Sequence, residues 1–271
     1  MALNIEEISA LYFEVDEPVP YAIERDKIVY ITPVLVSNSA RFLSCVKILQ
    51  INKNSIPSPA IIGMSYLQFL VSYYFPHDKN GLSMLSTLLE ICTGITKWDI
   101  RLDDGLKPYI YDIERGYIIK AKQFDDISKI ILYQNIYHYD DRYIDPDLAK
   151  AMREEDEIRN RDIDIPNLER RKAIISAHTG ILPKEQNSMT LRFHQILFEE
   201  IVGEVDFETT RSIMLYSGKD AEHWVYRKKR DRFDRYVTSV EQYNKSMGGT
   251  GEVATATSNP VQSIMQNLAN K

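Results

Sequence analysis

Apolar positions along the chain keep two rhythms, one of three to four residues and one of two, and the elements follow from where each rhythm holds. Residues 20–36, "PYAIERDKIVYITPVLV", place an apolar run on each side of a charged "ERDK" turn, which predicts a hairpin with Pro33 confining part of it to a sheet edge. From Ser39 to Gln50 the residues Phe42, Leu43, Val46 and Leu49 share one helical face, and the turn formers "NKNSIPSP" interrupt it. The run 59–75, "PAIIGMSYLQFLVSYYF", is shorter than a membrane span and broken by polar residues, so it predicts one core helix. After "PHDKNG" a further helix begins near Leu82, turning Leu85, Leu88, Leu89 and Cys92 inward until Gly94 closes it.

At "WDIRL" (98–102) the rhythm becomes alternating, and "DDG" and "ERG" then punctuate "YIYDI" and "YIIKAK", which predicts a small meander. Asp125 is placed to accept from the free amides opening the next helix, whose apolar face is Ile127, Ile130 and Ile131 and whose end falls near Asn135. "LAKAMREEDEIRN" has Leu148, Met152 and Ile158 as its sizeable apolar anchors. Glu155 with Arg159 and Glu157 with Arg161 fall at ion-pair spacing on an otherwise solvated face. Asn167 caps "LERRKAIISAHTG", which Gly180 ends. Ser188 caps "MTLRFHQILFEEIVG", with Met189, Phe193, Ile196, Leu197 and Ile201 on one stripe, and Asp206 starts a last helix that Gly218 ends.

The expected fold class is therefore α+β and mainly α-helical: helical bundles with a small N-terminal hairpin and a small central β-meander. The expected organisation is a hairpin plus helical bundle over 1–94, the meander over 95–122, and a C-terminal helical domain over 123–247. A flexible linker over 248–260, "GTGEVATATSNP" in the main, leads to an amphipathic helix over 261–271. There Val261, Ile264, Met265 and Leu268 form one apolar stripe, too short to be stable alone in water and suited to a groove on its own domain or on a partner.

Composition adds bias toward surfaces. With 271 residues, 44% apolar, the chain can pack a core, and its seventeen tyrosines suit half-buried interfaces. A formal charge of −6 disfavours a protein whose whole surface tracks nucleic acid. Two cysteines, Cys45 and Cys92, are too few for a secreted scaffold and are expected as buried reduced thiols in a cytoplasmic protein. The acidic Glu6 and Glu7 stand where an export signal would need a basic start, so neither export nor a membrane is expected.

Candidate chemistry is sparse. "HYDDRYIDPD" (138–147) offers Asp140, Asp141, Asp145 and Asp147 to a divalent metal. However, consecutive aspartates diverge, and the glycine and spacing of a helix–loop–helix calcium site are missing. The simpler assignment makes Asp145 an N-cap, Pro146 the first helical residue and Asp147 a charge at the positive helix end. His178 and His194 lie near apolar positions without ligands at metal spacing and are expected as core or boundary residues. "HWVYRKKRDRFDRY" (223–236) is the one basic cluster. Arg227, Lys228, Lys229, Arg230 and Arg232 beside Trp224 could hold single-stranded nucleic acid, whereas Asp231 and Asp234 and the acidic chain favour a solvated helix. No catalytic residue, metal or cofactor is expected.

The succession "FDDISKIILYQN", "YDDRYIDPDL", "TLRFHQILFEEI", "SIMLYSG" and "HWVYRKKRDRF", across roughly 115–247, resembles accessory proteins from the tail genes of large contractile-tailed bacteriophages, of the baseplate hub or tail-assembly chaperone type. The resemblance rests on caps and packing residues. It implies a non-enzymatic assembly or structural protein of the host cytoplasm or the virion. Its partners would be other tail or baseplate proteins, such as the tape measure or hub, with self-association open. Nucleic-acid binding through 223–236 and a metal-dependent enzyme built on 140–147 are the alternatives.

Overall fold

Asn4 opens the first helix, α1 (Ile5–Ile8), by accepting from the Glu7 amide, and a wide turn over Ser9–Phe13 extends it until Phe13 is buried. The expected hairpin follows as β1 (Val19–Glu24) and β2 (Lys27–Ile31), antiparallel, with Tyr21 opposite Val29 and a bulge between Ala22 and Glu24. Alternation sends Val19, Ile23, Val29 and Ile31 into the core. The computed structural model describes residues 3–53, 56, 58–141, 146–159, 161, 166–218 and 223–226. Among them one compact unit draws on 1–53, 64–140 and 164–229, and a second includes 54–63 and 141–163.

In the first unit α2 (Ser39–Cys45) buries Phe42 and tightens into a 3-10 turn that buries Val46 and Leu49. Leu43, expected on the same face, is instead 52% exposed. The run 59–75 is not one helix. α3 (Pro59–Gly63) belongs to the second unit, and α4 (Tyr66–Phe69) begins anew in the first. Ser65 is extended, and its hydroxyl accepts from the Gln68 amide at 3.2 Å. A serine at that position favours a cap over helix continuation. α4 runs into a wide π turn, Leu70–Tyr74.

α5 (Gly81–Thr93) buries Leu85, Leu88, Leu89 and Cys92, as the spacing predicts. Gly94 ends it with φ of 66°, a left-handed conformation glycine adopts without cost. The meander is β3 (Trp98–Leu102), β4 (Pro108–Asp112) and β5 (Tyr117–Lys120), in that order and antiparallel. The Asp112 carboxylate accepts from the amides of Glu114 and Arg115 at 3.0 and 3.2 Å, turning β4 into β5.

α6 (Ala121–Asn135) ties these parts together. Near its end Asn135 accepts from the Val34 amide at 2.7 Å and Gln134 donates to the Ile31 carbonyl at 3.3 Å, so the exit of the hairpin is held by side chains of a helix a hundred residues on. Asp125 does not cap this helix. It lies one turn inside α6 and accepts instead from the amides of Tyr66 (3.0 Å) and Leu67 (3.3 Å), which open α4.

α7 (Pro146–Arg159), in the second unit, starts on Pro146 as the sequence predicts and buries Met152, while Ile158 is 76% exposed and anchors nothing described. α8 (Leu168–Thr179) is capped by Asn167, which accepts from the Arg170 amide at 2.9 Å, and is closed by Gly180 at φ 77°. α9 (Leu191–Tyr216) departs from expectation twice. Its cap is Thr190, accepting from the Phe193 amide at 3.2 Å, while Ser188 ends a 3-10 turn, Glu185–Ser188, and its hydroxyl donates to the Glu185 carbonyl at 2.7 Å. It also runs without a break through Gly203 and Asp206 to Tyr216, with Gly218 just beyond it. The whole is a mainly helical α+β fold with one two-stranded and one three-stranded antiparallel sheet. Among the described residues no helix is long and apolar enough to cross a membrane.

Candidate interaction surface

α9 changes character at Ile201. Before it, the helix is packed against α6 and α8, and His194 and Ile201 are buried. Arg192 donates to the Tyr133 carbonyl at 2.9 Å and lies over the rings of Phe13 and Tyr137, clamping α9 to the wide turn Ser9–Phe13 and to α6. After Ile201 no described residue of α9 is buried, although Val202, Val205, Ile213, Leu215 and Tyr216 are apolar or aromatic.

The buried start of the helix is held by a polar relay. Gln186, fully buried, donates through Nε2 to the Lys172 carbonyl and the Ser176 hydroxyl, and its Oε1 faces His194 Nε2 at 3.1 Å. His194 must donate through Nε2 for this bond to form. Burial, and then the nearby positive Lys172 and Arg171, pull its pKa below the usual histidine value. The folded state therefore binds fewer protons than the unfolded state, and the contribution of His194 is complete above about pH 6.5 and declines as pH falls below it. His194→Gln should flatten the pH dependence of the denaturation midpoint between about pH 7 and 5 relative to the parent. Parallel curves for the two proteins would show that His194 does not titrate on unfolding.

Beside the open half, Gly203 faces the ring of Trp224. A Cβ at 203 would stand 3.0 Å from Trp224 Cδ1, so glycine here serves close packing and not helix termination. Trp224 Nε1 donates to Glu200 at 3.1 Å, its ring stacks on His223 with centroids 4.2 Å apart, and Phe207 tilts against both. The result is an aromatic ledge on α9, with Tyr226 80% exposed at its rim. Gly203→Val should displace Trp224 while leaving the helix intact, since valine is intrinsically the better helix former by roughly a few tenths of a kcal/mol. The expected observation, in a Trp98→Phe background, is a red-shifted Trp224 emission with unchanged helix content; an unshifted spectrum would contradict the packing.

Of the residues proposed from sequence, Trp224 alone is found in this surface. Arg227, Lys228, Lys229, Arg230 and Arg232, and Val261, Ile264, Met265 and Leu268, lie outside the described residues. Asp140 and Asp141 are exposed after α6, and the side chains of Asp145 and Asp147 are likewise outside the described set. Among the described residues no three histidine, cysteine or acidic side chains are grouped to hold a metal ion. His194 is the expected core histidine and His178 is exposed. Cys45 and Cys92 are buried free thiols, and burial pushes Cys92 up to about 12. Sequence reasoning missed the Phe207–His223–Trp224 ledge. The one local signal for it is Gly203, a glycine inside a strongly helical run. Comparison with protein-family profiles, with curated proteins and with solved structures gives no match.

Proposed function

We propose that this chain is a non-enzymatic tail or baseplate assembly protein of a contractile-tailed bacteriophage, working through protein–protein contacts in the host cytoplasm. The observation that carries the contact-based part is the open half of α9. A helix clamped to the core at one end presents Val202, Val205, Ile213 and Tyr216 to solvent at the other, and carries the aromatic ledge on its opposite face. Exposed apolar side chains grouped on one helix are stabilised by covering them, and aromatic side chains are the usual anchors of such interfaces. The phage assignment is supported by the sequence resemblance over 115–247. Affinity purification of the tagged chain from infected cells tests it: tape-measure, hub or other tail proteins should be retained, and a preparation lacking all of them would overturn it.

A second reading is favoured by one feature. The stacked His223–Trp224 pair and exposed Tyr226 directly precede the basic segment that starts at Arg227, the combination a single-stranded nucleic acid would use. It requires affinity that falls steeply with salt, and absence of a gel shift at low salt removes it.

A further inference from the structure

Beyond Ile201 one exposed side of α9 carries Val202, Val205, Thr209, Ser212, Ile213 and Tyr216, a seam repeating every three to four residues over four turns, about 22 Å at 1.5 Å per residue. On the helical wheel Glu204 and Glu208 border this seam on one side and Asp206 on the other. Their carboxylates have no hydrogen-bond or ion-pair partner among the described residues. Glu199 and Glu200, by contrast, are engaged by His138 at 2.8 Å and by Trp224 at 3.1 Å. Beyond Glu199, α9 carries four acidic residues, Glu200, Glu204, Asp206 and Glu208, against one basic residue, Arg211, which falls on the Glu204 and Glu208 side of the helix.

A largely apolar seam whose flanking charge is predominantly negative is half of a helix–helix recognition code, in which the seam supplies stability and the flanking charges choose the partner. From this complementarity we infer that the open half of α9 docks a basic amphipathic helix of a partner protein, one with an apolar stripe bordered by lysine or arginine. The inference rests on the contact-based reading above and names the chemistry of the partner. The same carboxylates repel a phosphate backbone, so this seam is distinct from any nucleic-acid surface formed by the segment after Tyr226.

Two synthetic 18-residue helices test it, identical in a leucine stripe and differing in flanking lysines or flanking glutamates. The full-length chain should bind the lysine helix, bind the glutamate helix at least about tenfold more weakly, and lose affinity as salt rises. Glu204→Lys, Asp206→Lys and Glu208→Lys together should reverse the preference. Val205→Glu, checked for unchanged helix content, should abolish binding of the lysine helix. Equal binding of both helices, or no binding of either, overturns the inference; the latter includes the case in which the chain's own basic segment fills the seam. Self-association of the parent chain that Val205→Glu abolishes overturns it in favour of a second copy. These outcomes are separable from failure of the phage assignment, which concerns only whether tail proteins are captured at all.

Discussion

Phe69→Ala should lower the unfolding free energy by about 3–5 kcal/mol, the usual cost of a fully buried phenylalanine truncated where neighbours cannot collapse into the space. Phe69 is 1% exposed, on the short helix α4, which packs on α6 and on β4. Its ring stacks on Tyr73 with centroids 5.6 Å apart and tilts against Tyr66 at 6.0 Å. Denaturant titration should show one shared shift for helix and aromatic signals, since α6 joins hairpin, meander and α4 in one unit. A change below about 1 kcal/mol would mean that α4 is not part of that core.

The second large effect is expected at Asp125. Its Oδ1 accepts from both Tyr66 and Leu67, so one oxygen satisfies two of the amides that a helix start leaves without partners. Burial, the largest influence, pushes its pKa up, while the two amides and Lys53 oppose the rise. The site therefore uses the acceptor geometry more than the charge. Asp125→Ala leaves two partly buried N–H groups unpaired and should cost about 1–3 kcal/mol, whereas Asp125→Asn, which keeps an oxygen at the same place, should retain most of the stability. Equal losses in the two variants would show that the negative charge, not the acceptor, holds α4 in place.

Asp125 also shows where sequence reading stops. It reads as a local cap because a carboxylate near a helix start has an obvious partner close by, and nothing in the order of residues reveals that α4, some sixty positions earlier, folds against it. The elements with strong local signals were legible: α5 up to Gly94, the three strands of the meander, and α8 between Asn167 and Gly180. The misread boundaries are those where two residues compete for one role. Ser188 and Thr190 both suit a cap, and the second wins because Leu191 donates its amide to the Val34 carbonyl at 2.7 Å, fixing the helix start one turn from the hairpin exit. At Gly203 and Asp206 the signals resemble a stop and a start, yet the missing side chain serves the Trp224 ring. The surface itself is partly legible: in sequence Trp224 reads as a companion of the basic residues that follow it, whereas in the fold it anchors a ledge on α9.

The claim that function resides in the open half of α9 is tested most directly by amide hydrogen exchange on the full-length chain, alone and mixed with the captured tail protein. The expected result is slowed exchange concentrated in residues 202–216 and 223–226 on complex formation. A complex that forms while exchange in those residues is unchanged, with protection appearing on the hairpin or the meander instead, would contradict it.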